Sequence, residues 1–361
     1  MSKPRCLVLF EESCRSQATR TTYLKELNNF LKWANKDYES ILLIPEDQLK
    51  IILEDYMLFL KRRYVRLSIR IKIAALQKFF FINDKIINVK KLLQFLPEDK
   101  KKGGDRPITL KEIQDMLSNS HLKRTRAIIH ILACTGARPE AITELRIKDI
   151  SNMPDGCKSL QFYAGSTHEY DGFLHEEAAK ALTEYLDQRT SRGEYLKPDS
   201  FVLRPLNFII TEKKPKGISV QNTAEIIKES MKSAGIERIK TGNRYDLAVC
   251  TGFRKRFNTI LKSNPNVAYA IGERLMDHKN NLESNYLRPT REQMFESFKK
   301  IIPDLMIDQT KKQALKIEQL EQEKSKLEQQ REENQKLDDK VARQDQVIHT
   351  ILKKLDKLES K

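Results

Sequence analysis

A polar stretch divides the chain at positions 98–107. It reads EDKKKGGDRP and has no apolar side chain to bury in a core. It combines charged residues with two glycines and a proline, a composition typical of an interdomain linker. On both sides of it, apolar residues recur every three or four positions, which is the spacing of amphipathic helices. With 361 residues the chain is long enough for two or three domains. The sequence therefore predicts a mainly α protein with a linker between helical domains.

The part before the linker, residues 13–97, is predicted to form a bundle of about four helices. Two long runs keep helical spacing, namely Tyr23, Leu27, Phe30 and Leu31, then Leu49, Ile52, Leu53, Tyr56 and Leu60. A third helix is expected over 68–83 and a short fourth helix over 89–95. A row of basic residues near the third helix is a candidate for contacts with phosphates. That row consists of Arg62, Arg63, Arg66, Arg70 and Lys72, and a solvated helix face is its alternative interpretation.

The part after the linker, residues 108–307, is predicted to be α-rich with a small antiparallel sheet. Thr109 followed by Glu112 has the spacing of a capping box, which begins a helix that reaches about residue 118. Further helical patterns cover 125–134, 139–145, 176–189, 220–234, 254–262, 268–276 and 291–301. Two short strand-like runs, 159–163 and 172–174, flank a polar turn and predict one hairpin as the only β structure.

The last part, residues 308–361, is predicted to be a long exposed helix. It contains no Gly or Pro after its first residues and is dense in Glu, Gln and Lys. Leu320, Leu327, Asn334, Val341, Ile348 and Leu355 fall seven positions apart, which is the a-position repeat of a coiled coil. The d positions of the same repeat include the polar residues Glu323, Gln330 and Gln344, which weakens the apolar seam of a coiled coil. Both a self-associating coiled coil and a single solvated helix stay open, and we expect this segment to bind protein and not DNA.

The distribution of charge indicates a polyanionic partner. The chain has 66 Lys and Arg against 50 Asp and Glu, a net charge of +16, whereas residues 309–361 are nearly balanced. An excess carried by folded domains indicates a surface that follows phosphates, although a generally lysine-rich surface is the alternative. No uncharged apolar run of about 18 residues is present, so we expect no membrane contact and a cytoplasmic protein. Five scattered cysteines without a CxxC pair indicate neither a disulfide framework nor a zinc site.

Four short motifs follow one another in the second domain. Residues 133–150 read ACTGARPEAITELRIKDI and contain Arg138, and residues 250–259 read CTGFRKRFNT and contain Arg254. LMDHK at 275–279 contains His278, and NYLRPT at 285–290 contains Tyr286. In this order and spacing, the motifs resemble those of the tyrosine recombinases, or phage integrases. Within that family they look most like archaeal integrases.

The resemblance implies a site-specific recombinase or integrase that acts on double-stranded DNA. It makes Tyr286 the nucleophile, which cuts one strand, holds it as a 3′-phosphotyrosyl and rejoins it without a metal, ATP or another cofactor. It also makes Arg138 and Arg254 the phosphate-binding arginines and His278 a further donor or proton carrier. The family pairs a helical core-binding (SAM-like) domain with the catalytic domain around DNA. It works as a tetramer, so we expect a homo-oligomer, or an accessory protein, at the C-terminal helix.

The sequence also departs from the family pattern. The hairpin turn, GSTHEYD, lacks the lysine that the family commonly uses as general acid, so His168 in the turn or Lys158 at the foot of the first strand is the candidate replacement. Both have a surface residue as their alternative interpretation. The acidic position after the first arginine is Ala141, the position before the second arginine is Thr251, and Asp277 replaces a glycine. These departures leave open a DNA-binding or regulatory protein of the same fold that has lost catalysis.

Overall fold

The computed structural model describes residues 3–98, 106–206, 216–241, 244–278 and 288–359. The chain divides into two compact units, Met1–Lys102 and Gly103–Lys361, and each has its own apolar core. The division falls within the stretch interpreted as a linker, of which residues 99–105 lie outside the described ranges. We describe each unit by itself.

The first unit is helical throughout its described residues. Its helices are α1 (Arg5–Glu12), α2 (Gln17–Ala34), α3 (Ser40–Leu43), α4 (Glu46–Lys61), α5 (Arg66–Ile82) and α6 (Val89–Gln94). The core is built around fully buried rings, with Phe30 at 5.0 Å from Tyr56 and 6.2 Å from Phe80 between ring centroids. The described part of the first unit therefore contains six helices, whereas about four were predicted.

The two unpredicted helices of this unit have different causes. α1 lies before the predicted start at residue 13, yet its Phe10 is fully buried and contacts Phe79 at 5.6 Å. That burial depends on α5, which no local pattern in α1 reveals. α3 has four residues, fewer than a periodic pattern needs to be recognised.

The second unit is α-rich, as the sequence predicts. Its first helices are α7 (Leu110–Ser118), α8 (Lys123–Thr135), α9 (Pro139–Glu144) and α10 (Glu176–Ser191), followed by α11 (Val220–Ser233), α12 (Thr251–Ser263) and α13 (Tyr269–Leu275). After residues 279–287 come α14 (Arg291–Lys299), α15 (Ile302–Leu305) and α16 (Gln309–Glu359). The capping box at the start of α7 is confirmed, because the Glu112 amide donates to Thr109 Oγ1 and the Thr109 amide donates to the Glu112 carboxylate.

The unit contains a small antiparallel sheet of three strands in the order β1 (Ile150–Asn152), β2 (Lys158–Phe162) and β3 (Tyr170–Leu174). β2 and β3 confirm the predicted hairpin, with Phe162 paired to Tyr170 next to the turn. The expectation that the hairpin would be the only β structure is wrong. β1 adds a third strand, and a two-stranded ladder joins β4 (Lys240–Thr241) to β5 (Arg244–Tyr245). Strands of two or three residues are too short to show alternation in the sequence.

α8 lies at the centre of this unit. Eleven of its thirteen residues are buried, and they include the polar side chains Arg124, Thr125, His130 and Thr135. It ends at Gly136, which adopts the left-handed conformation with φ 59°. A Cβ at Gly136 would lie 2.8 Å from Phe257 of α12, so the absence of a side chain lets the two helices approach.

α16 is a single helix of 51 residues, roughly 75 Å long at the usual rise. Its apolar residues Leu320, Leu327, Leu337, Val341 and Ile348 are at least half exposed. The coiled coil stays a prediction, since one chain by itself does not test it. None of the described helices combines the length and the apolar character that crossing a bilayer requires.

We expect Gly136→Ala to destabilise the second unit more than Gly235→Ala does. Both glycines follow helices at positive φ, so either substitution costs about 1–2 kcal/mol in backbone strain. Only Gly136 faces a neighbour at 2.8 Å, whereas nothing lies within 4 Å of the Gly235 position, so overpacking adds about 1–3 kcal/mol at Gly136 alone. Urea unfolding followed by circular dichroism measures the difference, because the single tryptophan, Trp33, reports on the first unit. Equal losses in the two variants would contradict the packing argument.

Candidate active site

Arg138 is placed by the end of α8. After Gly136 the chain turns, and Arg138 is the N-cap of α9, with Pro139 as the first helical residue. Its side chain is 38% exposed, which leaves it accessible from solvent. Arg138 therefore stands at a junction between two helices, on the rim of the core.

Arg254 lies in the first turn of α12, facing the same junction. Its Nη1 donates to the carbonyl oxygen of Gly136 at 2.9 Å, and its Nη2 donates to the carbonyl oxygen of Met276. The same Nη2 lies 3.1 Å from Nε2 of His278. Burial, and then the charge of Arg138, lower the pKa of Arg254.

His278 follows α13 and is held at both ring nitrogens. Its Nδ1 lies 3.3 Å from the carboxylate of Glu273, one α-helical turn earlier, and its Nε2 faces Arg254. A guanidinium can only donate, so Nε2 accepts and the ring proton on Nδ1 points to Glu273 in this arrangement. Glu273 is itself buried and pairs with Lys262 at 2.7 Å. Glu273 thus orients His278, a role that the sequence did not reveal because a Glu five positions before a His is not a distinctive pattern.

Asp277 points its carboxylate at Arg138. Arg138 Nη1 donates to Asp277 Oδ2 at 2.5 Å, although the two residues are 139 positions apart in the chain. Nδ1 of His168 lies 3.8 Å from the same oxygen. Arg138, Arg254, His278, Asp277 and His168 therefore form one connected group, which we call the arginine cluster.

The hairpin brings one of its two candidate residues to this cluster. His168 lies in the turn and is 59% exposed, so it is accessible next to Asp277. Lys158 begins β2, at the end of the hairpin away from the turn, and its Nζ donates to Asn152 at 2.8 Å. The five residues of β2 separate the two ends by about 13 Å. Within the described residues, no contact joins Lys158 to the arginine cluster.

Tyr170 adds a buried hydroxyl that the sequence did not single out. It begins β3, is 8% exposed, and its hydroxyl has no hydrogen-bond partner among the described residues. Burial raises the pKa of Tyr170, and the charges of Arg254, Asp277 and Arg138 act on it as well. Tyr170 follows the turn residue His168 by two positions and pairs with Phe162, so it lies at the same end of the hairpin.

Tyr286 lies outside the described residues, in the segment 279–287. The residue before this segment is His278. The helix after it, α14, is attached to the hairpin, because Arg291 pairs with Asp171 of β3 at 3.0 Å. Both flanking elements therefore belong to the region of the arginine cluster.

The basic row of the first unit is only partly exposed. Arg62 and Arg70 are exposed and Arg66 is half-buried. Arg63, also exposed, places its guanidinium 4.0 Å from the centre of the Phe59 ring. Lys72 does not belong to this surface, because it is 6% exposed and pairs with Glu26 across the core. Its position in α5 turns it inward, which the row of charges in the sequence did not show.

The arginine cluster is suited to bind an anion with tetrahedral oxygens. A guanidinium can offer parallel N–H donors to such an anion. Arg138 is the partly exposed guanidinium of the cluster, whereas Arg254 already donates from both of its Nη atoms within the protein. Among the described residues, no three His, Cys, Asp or Glu side chains are grouped so that they could hold a metal ion. The chemistry that the described side chains support is phosphate binding and proton transfer.

Comparison with known proteins supports this interpretation of the fold. The model of the phage integrase family matches residues 106–292. The Tn1549 transposon integrase in complex with a circular intermediate DNA has a TM-score of 0.56 at 12% identity, over 81% of this chain and 98% of that one. The XerH recombinase bound to difH substrate has a TM-score of 0.50 at 17% identity, over 77% and 78%. A lambda integrase dimer bound to a COC′ core site has a TM-score of 0.50 at 14% identity, over 79% of this chain and 95% of that one. None of the curated proteins matches the sequence.

We expect Glu273→Gln to lower the free energy of unfolding by roughly 1–2 kcal/mol at neutral pH. Burial acts to raise the pKa of Glu273, but hydrogen bonds from Lys262 and His278 outweigh it and lower that pKa below its usual value. A carboxyl with a depressed pKa stabilises the folded state above its unfolded pKa, about 4.5, and loses this effect as the pH falls through the folded value. The wild type should therefore have its full excess in free energy of unfolding over Glu273→Gln above about pH 5. That excess should disappear as the pH falls through the folded pKa.

Urea unfolding between pH 3 and 7 measures this dependence. Glu225→Gln is the matched control, because Glu225 pairs with Lys228 on the exposed face of α11 and contributes little. A difference between the Glu273 variant and the wild type that does not change with pH would contradict the prediction.

Proposed function

We propose that this chain, which belongs to the phage integrase family of tyrosine recombinases, cuts and rejoins DNA strands through a covalent 3′-phosphotyrosyl on Tyr286. The observation that carries the proposal is the convergence of Arg138, Arg254 and His278. They come from three separate motifs, yet each contacts another part of the same cluster. A structural role alone does not require two arginines and a histidine at one partly exposed place.

In the proposed reaction, the phenolic oxygen of Tyr286 attacks the scissile phosphorus. A bond forms between phosphorus and the tyrosine oxygen while the bond from phosphorus to the 5′ oxygen breaks. The 5′ oxygen leaves with a proton from a general acid, and the phenol proton passes to a base. Attack by the 5′ hydroxyl of another strand reverses these steps and releases the tyrosine. Since the bond energy is kept in the phosphotyrosyl, the exchange needs no ATP.

The arginines supply electrostatic stabilisation in this proposal. Negative charge develops on the non-bridging oxygens as the phosphorus becomes five-coordinate, and donors already in place lower the barrier most. Arg254 is well fixed, because two carbonyl oxygens hold its guanidinium. The Arg138 side chain is 38% exposed, which suits direct contact with DNA. His278 donates a further hydrogen bond once its Nε2 leaves Arg254 and carries a proton, or it moves the proton of Tyr286.

His168 is the proposed general acid. It stands in the hairpin turn within reach of Asp277, whereas Lys158 would have to leave Asn152 and lies at the other end of β2. The alternative function is that of a DNA-binding or regulatory protein with a decayed site. The turn without lysine, together with Ala141 and Thr251, favours that alternative.

Further expectations belong to the same proposal. Arg62, Arg66 and Arg70 of the first unit would contact DNA phosphates, and the first unit would act as the core-binding domain. On DNA the protein would form a tetramer, with α16 pairing chains as a coiled coil or binding an accessory protein. The kinship with archaeal integrases also stays a prediction.

We expect the wild type to form a covalent complex with nicked suicide duplexes of random sequence, in EDTA, and Tyr286→Phe to form none. In such a substrate the cut strand releases a short fragment by diffusion, so the phosphotyrosyl accumulates and is seen on a denaturing gel. Tyr195→Phe is the matched control, because Tyr195 is 81% exposed and outside the arginine cluster. Sequencing the trapped DNA identifies the target site.

Two results of this experiment would count against the proposal. A covalent complex that persists in Tyr286→Phe would show a different nucleophile. If the wild type binds the pool but traps no DNA, the decayed binding protein is the better description.

We expect His168→Ala to slow cleavage of ordinary DNA by about 10²–10⁴-fold, the usual contribution of a general acid. A substrate with a bridging 5′ phosphorothiolate has a leaving group that needs no proton, so it should restore the rate in this variant. Lys158→Ala serves as the comparison and should lose little activity on either substrate. Equal loss on both substrates would exclude His168 as the general acid, and a rescued defect in Lys158→Ala would assign the role to Lys158.

A further inference from the structure

Asp277 pairs with the guanidinium of Arg138, the group that the proposed function assigns to the DNA phosphate. The ion pair is short, at 2.5 Å between Nη1 and Oδ2, and the Asp277 side chain is only 9% exposed. His168 approaches the same oxygen at 3.8 Å. The carboxylate thus lies between Arg138 and the proposed general acid, where the reaction needs a phosphate.

The backbone at Asp277 does not by itself explain why this residue is an aspartate. Asp277 has φ 49°, in the left-handed region that glycine enters most easily. Asp and Asn are among the few other residues that tolerate this conformation. A glycine here would satisfy the turn and leave Arg138 without this carboxylate, so the aspartate adds an anion to the site.

A carboxylate and a phosphate are alternative ligands for the same guanidinium. Both present oxygens to parallel N–H donors, so they compete for Arg138, and two anions held together repel each other.

We propose that Asp277 is an internal substitute for the DNA phosphate. It pairs with Arg138 in the free protein and is displaced when the scissile phosphate binds. This inference rests on the proposed function, because it takes Arg138 to be a phosphate ligand. It makes Asp277 a regulator of the site, since DNA must break the Arg138–Asp277 pair before the arginine can act.

The test is the affinity for DNA of Asp277→Asn, in a Tyr286→Phe background that prevents cleavage. Asn keeps the volume and the tolerance for positive φ and removes only the charge. We expect a random-sequence duplex to bind about 5- to 10-fold more tightly, the effect of removing one competing, partly exposed ion pair. Asp277→Gly is the second variant and should act in the same direction, so that a folding defect in one does not decide the outcome.

Two controls separate this effect from a general gain of positive charge. Asp199→Asn makes the same change of charge at an exposed pair with Lys148, outside the cluster, and sets the baseline at the same salt concentration. In an Arg138→Ala background, Asp277→Asn should bind no more tightly than that baseline, because the competing pair no longer exists.

Binding by both Asp277 variants that equals or falls below the Asp199→Asn baseline would overturn the proposal and make Asp277 a residue that positions Arg138. A gain that survives in the Arg138→Ala background would overturn it as well. The same variants with Tyr286 intact are then tested on suicide duplexes, where faster trapping is expected. If no variant traps DNA, the proposed catalysis fails, while the binding measurements still decide the role of Asp277.

Discussion

The candidate site depends on the close approach of the end of α8 to the first turn of α12. Gly136 makes that approach possible, because it has positive φ and because a Cβ would meet Phe257 at 2.8 Å. At this distance the Gly136 carbonyl reaches Arg254, and Arg138 follows two residues later. One backbone junction therefore determines where both guanidinium groups lie, and the hairpin and α13 complete the cluster around them.

Charge balance is the second constraint on this arrangement. Two guanidinium groups brought together destabilise each other, and the pKa of Arg254 is lowered first by burial and then by the charge of Arg138. Carboxylates compensate within the protein, with Asp277 on Arg138 and Glu273 on His278 and Lys262. The two carboxylates differ in consequence. Glu273 orients His278, whereas Asp277 pairs with the guanidinium that the proposed function assigns to a phosphate.

Much of the fold of the second unit was predictable because its helices are long and their ends carry local signals. The capping box at Thr109, the end of α8 at Gly136 and Pro139 at the start of α9 are each encoded within a few residues. The elements that were missed in the two units, α1, α3, β1, the β4–β5 ladder and α15, are short or are stabilised by distant partners. Their sequences carry too few residues for a periodic pattern, so only packing against the rest of the unit reveals them.

The sequence by itself determined the mainly helical character, the place of the basic excess and the candidate residues Arg138, Arg254, His278 and Tyr286, because helix spacing, charge and motif order are local properties. Only the tertiary structure decided which side chains meet. It set the Asp277 carboxylate against Arg138, left Lys158 at the far end of the hairpin and turned Lys72 toward Glu26. These contacts join residues far apart in the chain, and their geometry follows from how whole helices and strands pack, which no local pattern records.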